Sequence, residues 1–192
     1  MGSNPTRSAV TNAAAQYRRR ADAFARLVAG TPPDRWSAPS PCDGWTASDV
    51  VAHVVDFSAH VLRERSGVDD APRFADFAAP LEAFRAARAR VERLLDDPAT
   101  PPEVAAYIEW SISVDLPQHG WDLAMATGQD ATIAPEEVEL LWGPGDPKEF
   151  EKAFGWQREQ GWYGPPIAVP DDAPLQDRVL GLLGRDPHWS AP

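Results

Sequence analysis

Prolines and glycines cut residues 8–128 into four blocks, and each block carries apolar residues at helical spacing. In the first, residues 8–29, Tyr17, Ala21, Phe24 and Val28 share a face, and Arg18-Arg19-Arg20 reads as solvated charge away from it. Gly30 and Pro32-Pro33 stop that helix, and a proline-rich loop follows in which Trp36 and Trp45 pin the chain to the core. Thr46-Ala47-Ser48-Asp49 has the form of a capping box with Asp at its fourth position. It opens a second helix to about Ser66 with Val50, Val54, Phe57 and Val61 as its stripe. The third block starts near Pro80 and repeats Leu81, Phe84, Arg88, Val91 and Leu95 until Pro98. The fourth runs from about 102 to 127 and ends on Gly128. The pattern predicts an all-α fold built on an antiparallel-type four-helix bundle over 8–128.

After Gly128 the texture changes. Short helices are expected over Pro135–Trp142, over Lys148–Gln160 with Phe150 and Phe154 inward, and over Pro174–Leu183 with Asp172 as its cap. Tyr163–Pro170 is held extended by its prolines. Residues 129–192 are therefore expected to form a C-terminal extension, a strap of short helices and extended Pro-rich segments packed on the bundle.

A net charge of −11 argues against nucleic-acid binding, which requires a basic surface. No apolar run approaches the ~20 residues of a membrane span, and the N-terminus lacks the apolar core of a signal peptide. With Cys42 as the single cysteine, no intrachain disulfide can form, and the expected compartment is the cytoplasm. A small-molecule substrate and a monomer or homodimer are the expected partners.

The fourth stripe, Val104, Ile108, Ser111, Ile112, Asp115, His119 and Leu123, turns polar without changing face. Polar groups aimed at a core cost several kcal/mol (roughly 2–7) unless they are paired. Asp115 and His119, four positions apart, leave one helix face together as two potential metal ligands. His53, on the second helix, is the candidate for a third. Two imidazoles and a carboxylate suit zinc first, and also nickel, iron or manganese, with positions left open for water or substrate. The alternative reading of the same spacing is two hydrogen-bonded core histidines with Asp115 paired locally. Pro117, between the two helix-four residues, predicts a kink beside them.

Several residues are candidates for supporting roles. Asp56 lies one turn after His53 and Asp122 one turn after His119, where each is placed to orient an imidazole. His60 is a candidate lining residue above the metal or an ordinary partly exposed histidine. Cys42 is a thiol near a helix start or a buried inert one. Trp45 and Trp121 read as core. Trp142, Trp156, Trp162 and Tyr163 exceed what a short tail needs for packing, which suggests an aromatic wall over the site for an apolar or planar substrate.

Three blocks also carry a family resemblance. PSPCDGWTASDVVAHVVDF, DLPQHGWDLAMATGQD and GPPIAVPDDAPLQDRVLGLLGRDP resemble segments of the DinB-like, mycothiol-dependent maleylpyruvate isomerase group, specifically its short single-domain members. The resemblance implies a DinB bundle with helices up-down-down-up, and a divalent metal on the positions His53, Asp115 and His119. It also implies thiol-dependent isomerase or S-transferase chemistry with mycothiol as cosubstrate. The chain departs from that pattern at Leu116-Pro117-Gln118 and in its Trp- and Gly-rich stretch from Leu141 to Pro166. Those departures keep two alternatives open: a thiol-independent biosynthetic metalloenzyme performing hydrolysis or cyclisation, and a non-catalytic metal- or small-ligand-binding protein.

Overall fold

A computed structural model describes residues 5–142 and 147–191, the side chains at 5–8, 141, 142, 147, 149, 150, 153 and 154 excepted. The described chain is all-helical. Helix α1 spans Pro5–Gly30, α2 Ala47–Ser66, α3 Pro80–Asp96, α4 Pro102–Ile108, α5 Val114–Thr127, α6 Pro135–Trp142, α7 Pro147–Glu159 and α8 Leu175–Leu182. The capping box forms as the sequence suggests: the Thr46 hydroxyl accepts from Asp49 N–H, and Asp49 accepts from Thr46 N–H at 2.9 Å. Gly67 and Gly128 end α2 and α5 at φ of 66° and 73°, a left-handed turn that favours glycine.

Helix α1 packs on α3, α4 and α5, while α2 packs on α3 and α5. Tyr17, Phe24, Phe84, Leu62, Ile108, Ile112, Leu116 and Leu123 fill the space between them. Burying a side chain of this size contributes about 1.5–3 kcal/mol. A second apolar cluster joins Trp121 of α5 to Ile133, Val138, Val179, Leu180 and Leu183, so the tail is fastened to one flank of α5.

Three expectations are corrected. The irregular backbone of the fourth helix is not at Pro117, which sits inside regular α5. It is a π-helical turn over Glu109–Ser113, between α4 and α5. A proline ring crowds the carbonyl four residues earlier, here Ser113, so the wide turn takes up the distortion before the ring. Asp172 does not cap α8, whose N-cap is Pro174 with no side-chain bond. Arg20 does not lie on a solvated face: it is buried, donating from Nε to Glu137 at 2.6 Å and from Nη1 to Ser113 Oγ at 2.7 Å. The expected inward faces of Phe150 and Phe154 lie outside the described residues.

Candidate metal centre

Helix α5 presents Asp115, Gln118, His119 and Asp122 toward α2 because these positions recur at three- and four-residue spacing. Across the gap, α2 presents His53. Ligand atoms of His53, Asp115 and His119 all lie within 4.8 Å of one another. Asp115 stands between the two rings, with Oδ2 at 3.4 Å from His53 Nε2 and Oδ1 at 3.4 Å from His119 Nε2. The rings meet edge to face, their centroids 4.7 Å apart. Gln118 Nε2 donates to Asp115 Oδ1 at 2.6 Å.

The remaining valences separate the site from an ordinary polar cluster. Asp115 Oδ2 is buried and has no hydrogen-bond partner among the described residues: His53 is close but not aligned to donate to it. An orphaned buried carboxylate oxygen costs about 1–3 kcal/mol, more when charged, unless something occupies its lone pairs. His119 Nδ1 bonds Asp122 Oδ2 at 2.9 Å, so Nε2 is the nitrogen that faces Asp115 and the one a cation would take by displacing its proton. Two imidazole nitrogens and a half-satisfied carboxylate are the donor set a divalent cation takes, so the residues fit the metal that the sequence suggests.

Charge follows this geometry. Burial opposes ionisation of Asp115, but the charged His119 imidazole facing it, with the His53 ring on its other side, wins and holds it far below the usual carboxylate range. Burial likewise opposes charging His119, yet Asp115 and then the bond to Asp122 keep its pKa well above that of a free imidazole. Burial pushes the Tyr163 phenol up, and the Asp115 charge adds to the effect.

Other candidate residues are placed variously. Asp122, fully buried, orients His119. Asp56 is instead engaged by the α2–α3 loop, accepting from Phe74 N–H at 3.0 Å with Arg73 at 3.8 Å. His60 is exposed and lines a separate surface cavity with Asp56, Arg63, Asp69 and Arg73, one that none of the three candidate ligands lines. Trp156 and Trp162 stack edge to face at 5.1 Å but remain 55% and 61% exposed, so they wall nothing in. The Trp142 side chain lies outside the described residues. Tyr163 does reach the centre, its hydroxyl within 3.4 Å of Gln118 Nε2.

The aromatic flank of the site comes from residues read as core. Trp45 lies 5.0 Å from the His53 ring and stacks at 6.0 Å on His119, and Phe57 stacks on His53 at 5.7 Å. His53 is also the open side: its side chain is 34% exposed, against 7% for His119. One site residue that the sequence reading gave no role is Arg185, which donates from Nε to Asp122 Oδ1 at 3.0 Å and from Nη2 to Oδ2 at 2.8 Å. Its only sequence signal was an arginine directly after the glycine that stops α8. The same fork argues against a second possible cation group, Cys42, His119 and Asp122, because the Asp122 carboxylate is already taken by a guanidinium. A cavity of about 260 Å³ lies beyond the other flank of α5, against α1 and residues 130–137, and is not lined by the ligand trio.

A family model described as "Mycothiol maleylpyruvate isomerase N-terminal domain" matches residues 17–124, a span that holds His53, Asp115 and His119. Two uncharacterised proteins, one from each of two strains of Mycobacterium tuberculosis, are 28% identical over 193 residues, covering 88% of this chain and 95% of the relative. No solved structure matches the chain. Among the described residues, no helix is long and apolar enough to cross a membrane.

Proposed function

The chain belongs to the mycothiol maleylpyruvate isomerase N-terminal domain family, and from that premise we propose that it is a metal-dependent enzyme that activates a small thiol against an electrophilic substrate. The observation that carries the proposal is the buried, partnerless Asp115 Oδ2 between two imidazoles. His53, Asp115 and His119 would hold the ion, zinc being best suited to two nitrogens and one carboxylate. A cation there would supply Lewis acidity and a vacant position at which a thiol ionises near neutral pH.

The chain's own residues perform the rest. Asp122 holds His119 in the tautomer that points Nε2 inward. Gln118 fixes the Asp115 carboxylate from one side and leaves the other oxygen free. Reactants enter beside His53, and the Trp45 and Phe57 rings offer apolar faces for a planar or unsaturated substrate. Sulfur addition followed by release gives an S-conjugate; addition, bond rotation and elimination gives cis–trans isomerisation. The packing of α1 and α2 each on both α3 and α5, with α1 and α2 not adjacent, supports the up-down-down-up DinB arrangement over 8–128, with 129–192 as its extension.

The test is metal analysis of protein purified without added metal, followed by zinc titration and turnover of a chromogenic electrophile with mycothiol. We expect one ion per chain, lost in His53→Ala and His119→Ala, and thiol-dependent turnover only with the ion present, the thiol being consumed in S-transfer and regenerated in isomerisation. An unaltered protein that refuses zinc, nickel, iron and manganese ends the proposal. Metal uptake with no turnover that depends on the thiol leaves the thiol-independent reading.

A further inference from the structure

We propose that Arg185, in the segment after α8, is a positioning residue for the metal centre: its guanidinium fork sets the Asp122 carboxylate that in turn orients His119. The proposal rests on the metal reading above and adds a residue beyond the span matched by the family model, which ends at 124.

The geometry is that of a built contact. Asp122 is completely buried, and Arg185 is only 8% exposed. Two parallel bonds at 3.0 and 2.8 Å fix the plane of the carboxylate, as a fork on a carboxylate does and a point charge does not. The same Oδ2 that takes one tine of the fork accepts His119 Nδ1–H at 2.9 Å and Cys42 Sγ–H at 3.2 Å. With the carboxylate plane locked, the imidazole has one orientation that keeps this bond, and it aims Nε2 at Asp115.

The backbone delivers the guanidinium deliberately. Gly184 ends α8 at φ +78°, and Arg185 N–H closes the turn on Leu180 C=O at 2.9 Å. A Cβ at Gly184 would sit 2.9 Å from the Gly164 carbonyl oxygen, so glycine is required there twice over. Arg185 Nη1 also donates to Leu183 C=O at 3.1 Å, steadying the fork from its own helix end. A tail residue 63 positions along the chain thus reaches the ligand sphere through one carboxylate.

The experiment is zinc binding to the full chain by competition with a chromophoric chelator, with the visible spectrum of the cobalt(II)-loaded protein as a second readout. We expect Arg185→Met and Arg185→Lys each to weaken zinc about 10–100-fold and to alter the cobalt bands, as losing a ligand's outer partner does. In an Asp122→Asn background, Arg185→Met should add less than about twofold, because coupled residues are non-additive. Val179→Ala, which loosens the tail's apolar contact without touching Asp122, should lower the melting temperature and leave zinc affinity unchanged. If Arg185→Met does not fold, Arg185→Lys, which keeps the charge, decides. Unchanged affinity and spectrum in a folded Arg185 variant, or an equal loss in Val179→Ala, would overturn the proposal and reduce Arg185 to a tail anchor. No zinc or cobalt uptake by the unaltered protein would instead strike the metal reading itself.

Discussion

Two buried charged clusters flank α5, and they are built in opposite ways. Toward the tail and α1, Arg20 and Arg19 converge on Glu137, with Ser113 accepting from Arg20, and both Glu137 oxygens receive donors. Toward α2, Asp115 meets two imidazoles and keeps one oxygen unpaired. In the first cluster the buried Arg20–Glu137 pair is neutral and both carboxylate oxygens are bonded, with the second arginine, Arg19, reaching in from a half-exposed position, as a structural ion pair must be arranged to survive burial. The second leaves one buried carboxylate oxygen without a donor among the described residues. The contrast separates a cluster whose charges are fully engaged within the fold from one that fits the metal reading proposed above.

The sharpest way to break the comparison is Glu137→Ala. It strands two arginines, one of them buried, and should cost about 3–5 kcal/mol in urea unfolding, with zinc affinity nearly intact. A stability loss below about 1 kcal/mol would show that the first cluster is not structural. Next comes Asp115→Asn, which removes the charge facing His119 and should cost about 1–3 kcal/mol of metal-free stability at neutral pH. It should abolish the zinc-dependent stabilisation, about 2.7 kcal/mol at a free zinc concentration of 100 Kd; calorimetry with and without zinc reads both effects.

Acid–base behaviour sharpens the contrast further. His119 has a raised folded pKa, so its contribution to metal-free stability is full below the unfolded value of 6.5 and fades as pH rises through the folded one. Asp115 and Asp122 have lowered pKa values, so theirs is full above the unfolded 3.8 and is lost as pH falls through the folded values. Zinc must displace the His119 proton, so its affinity should climb roughly tenfold per pH unit over the window in which metal-free stability declines. A pH-independent zinc affinity between 6 and 8 would remove His119 from the ligand set. The smallest expected effect is Cys42→Ser: a hydroxyl also donates to Asp122, so zinc affinity should shift by at most about threefold and stability by about 0.5 kcal/mol. A larger loss would make the thiol a participant.

The helices were legible because their signals are local: stripes at helical spacing, the Thr46–Asp49 box, Gly67 and Gly128. The shared face of Asp115 and His119 follows from spacing alone, whereas His53 as a third member needed the logic of facing helices and the family likeness. What the sequence hid depends on distant partners. Arg20 looked solvated within an arginine triplet because Glu137, its counter-ion, lies 117 residues on. Arg185 looked like a stray tail charge because Asp122 is 63 residues back. Trp45 and Phe57 looked like core because nothing in their own segments shows that their rings face two histidines. Pro117 correctly announced a distortion, but the strain was relieved one turn upstream, where the wide turn could absorb it.

That wide turn works as a rotational setting for everything after it. A π turn accommodates one residue more than an α turn, and each residue of helix advances the side-chain direction by about 100°. Winding the same residues as an uninterrupted α-helix would instead swing Asp115, His119 and Asp122 off the α2-facing side together, by about 100°. One surplus amino acid, just ahead of Asp115, keeps the compass bearing of the whole centre.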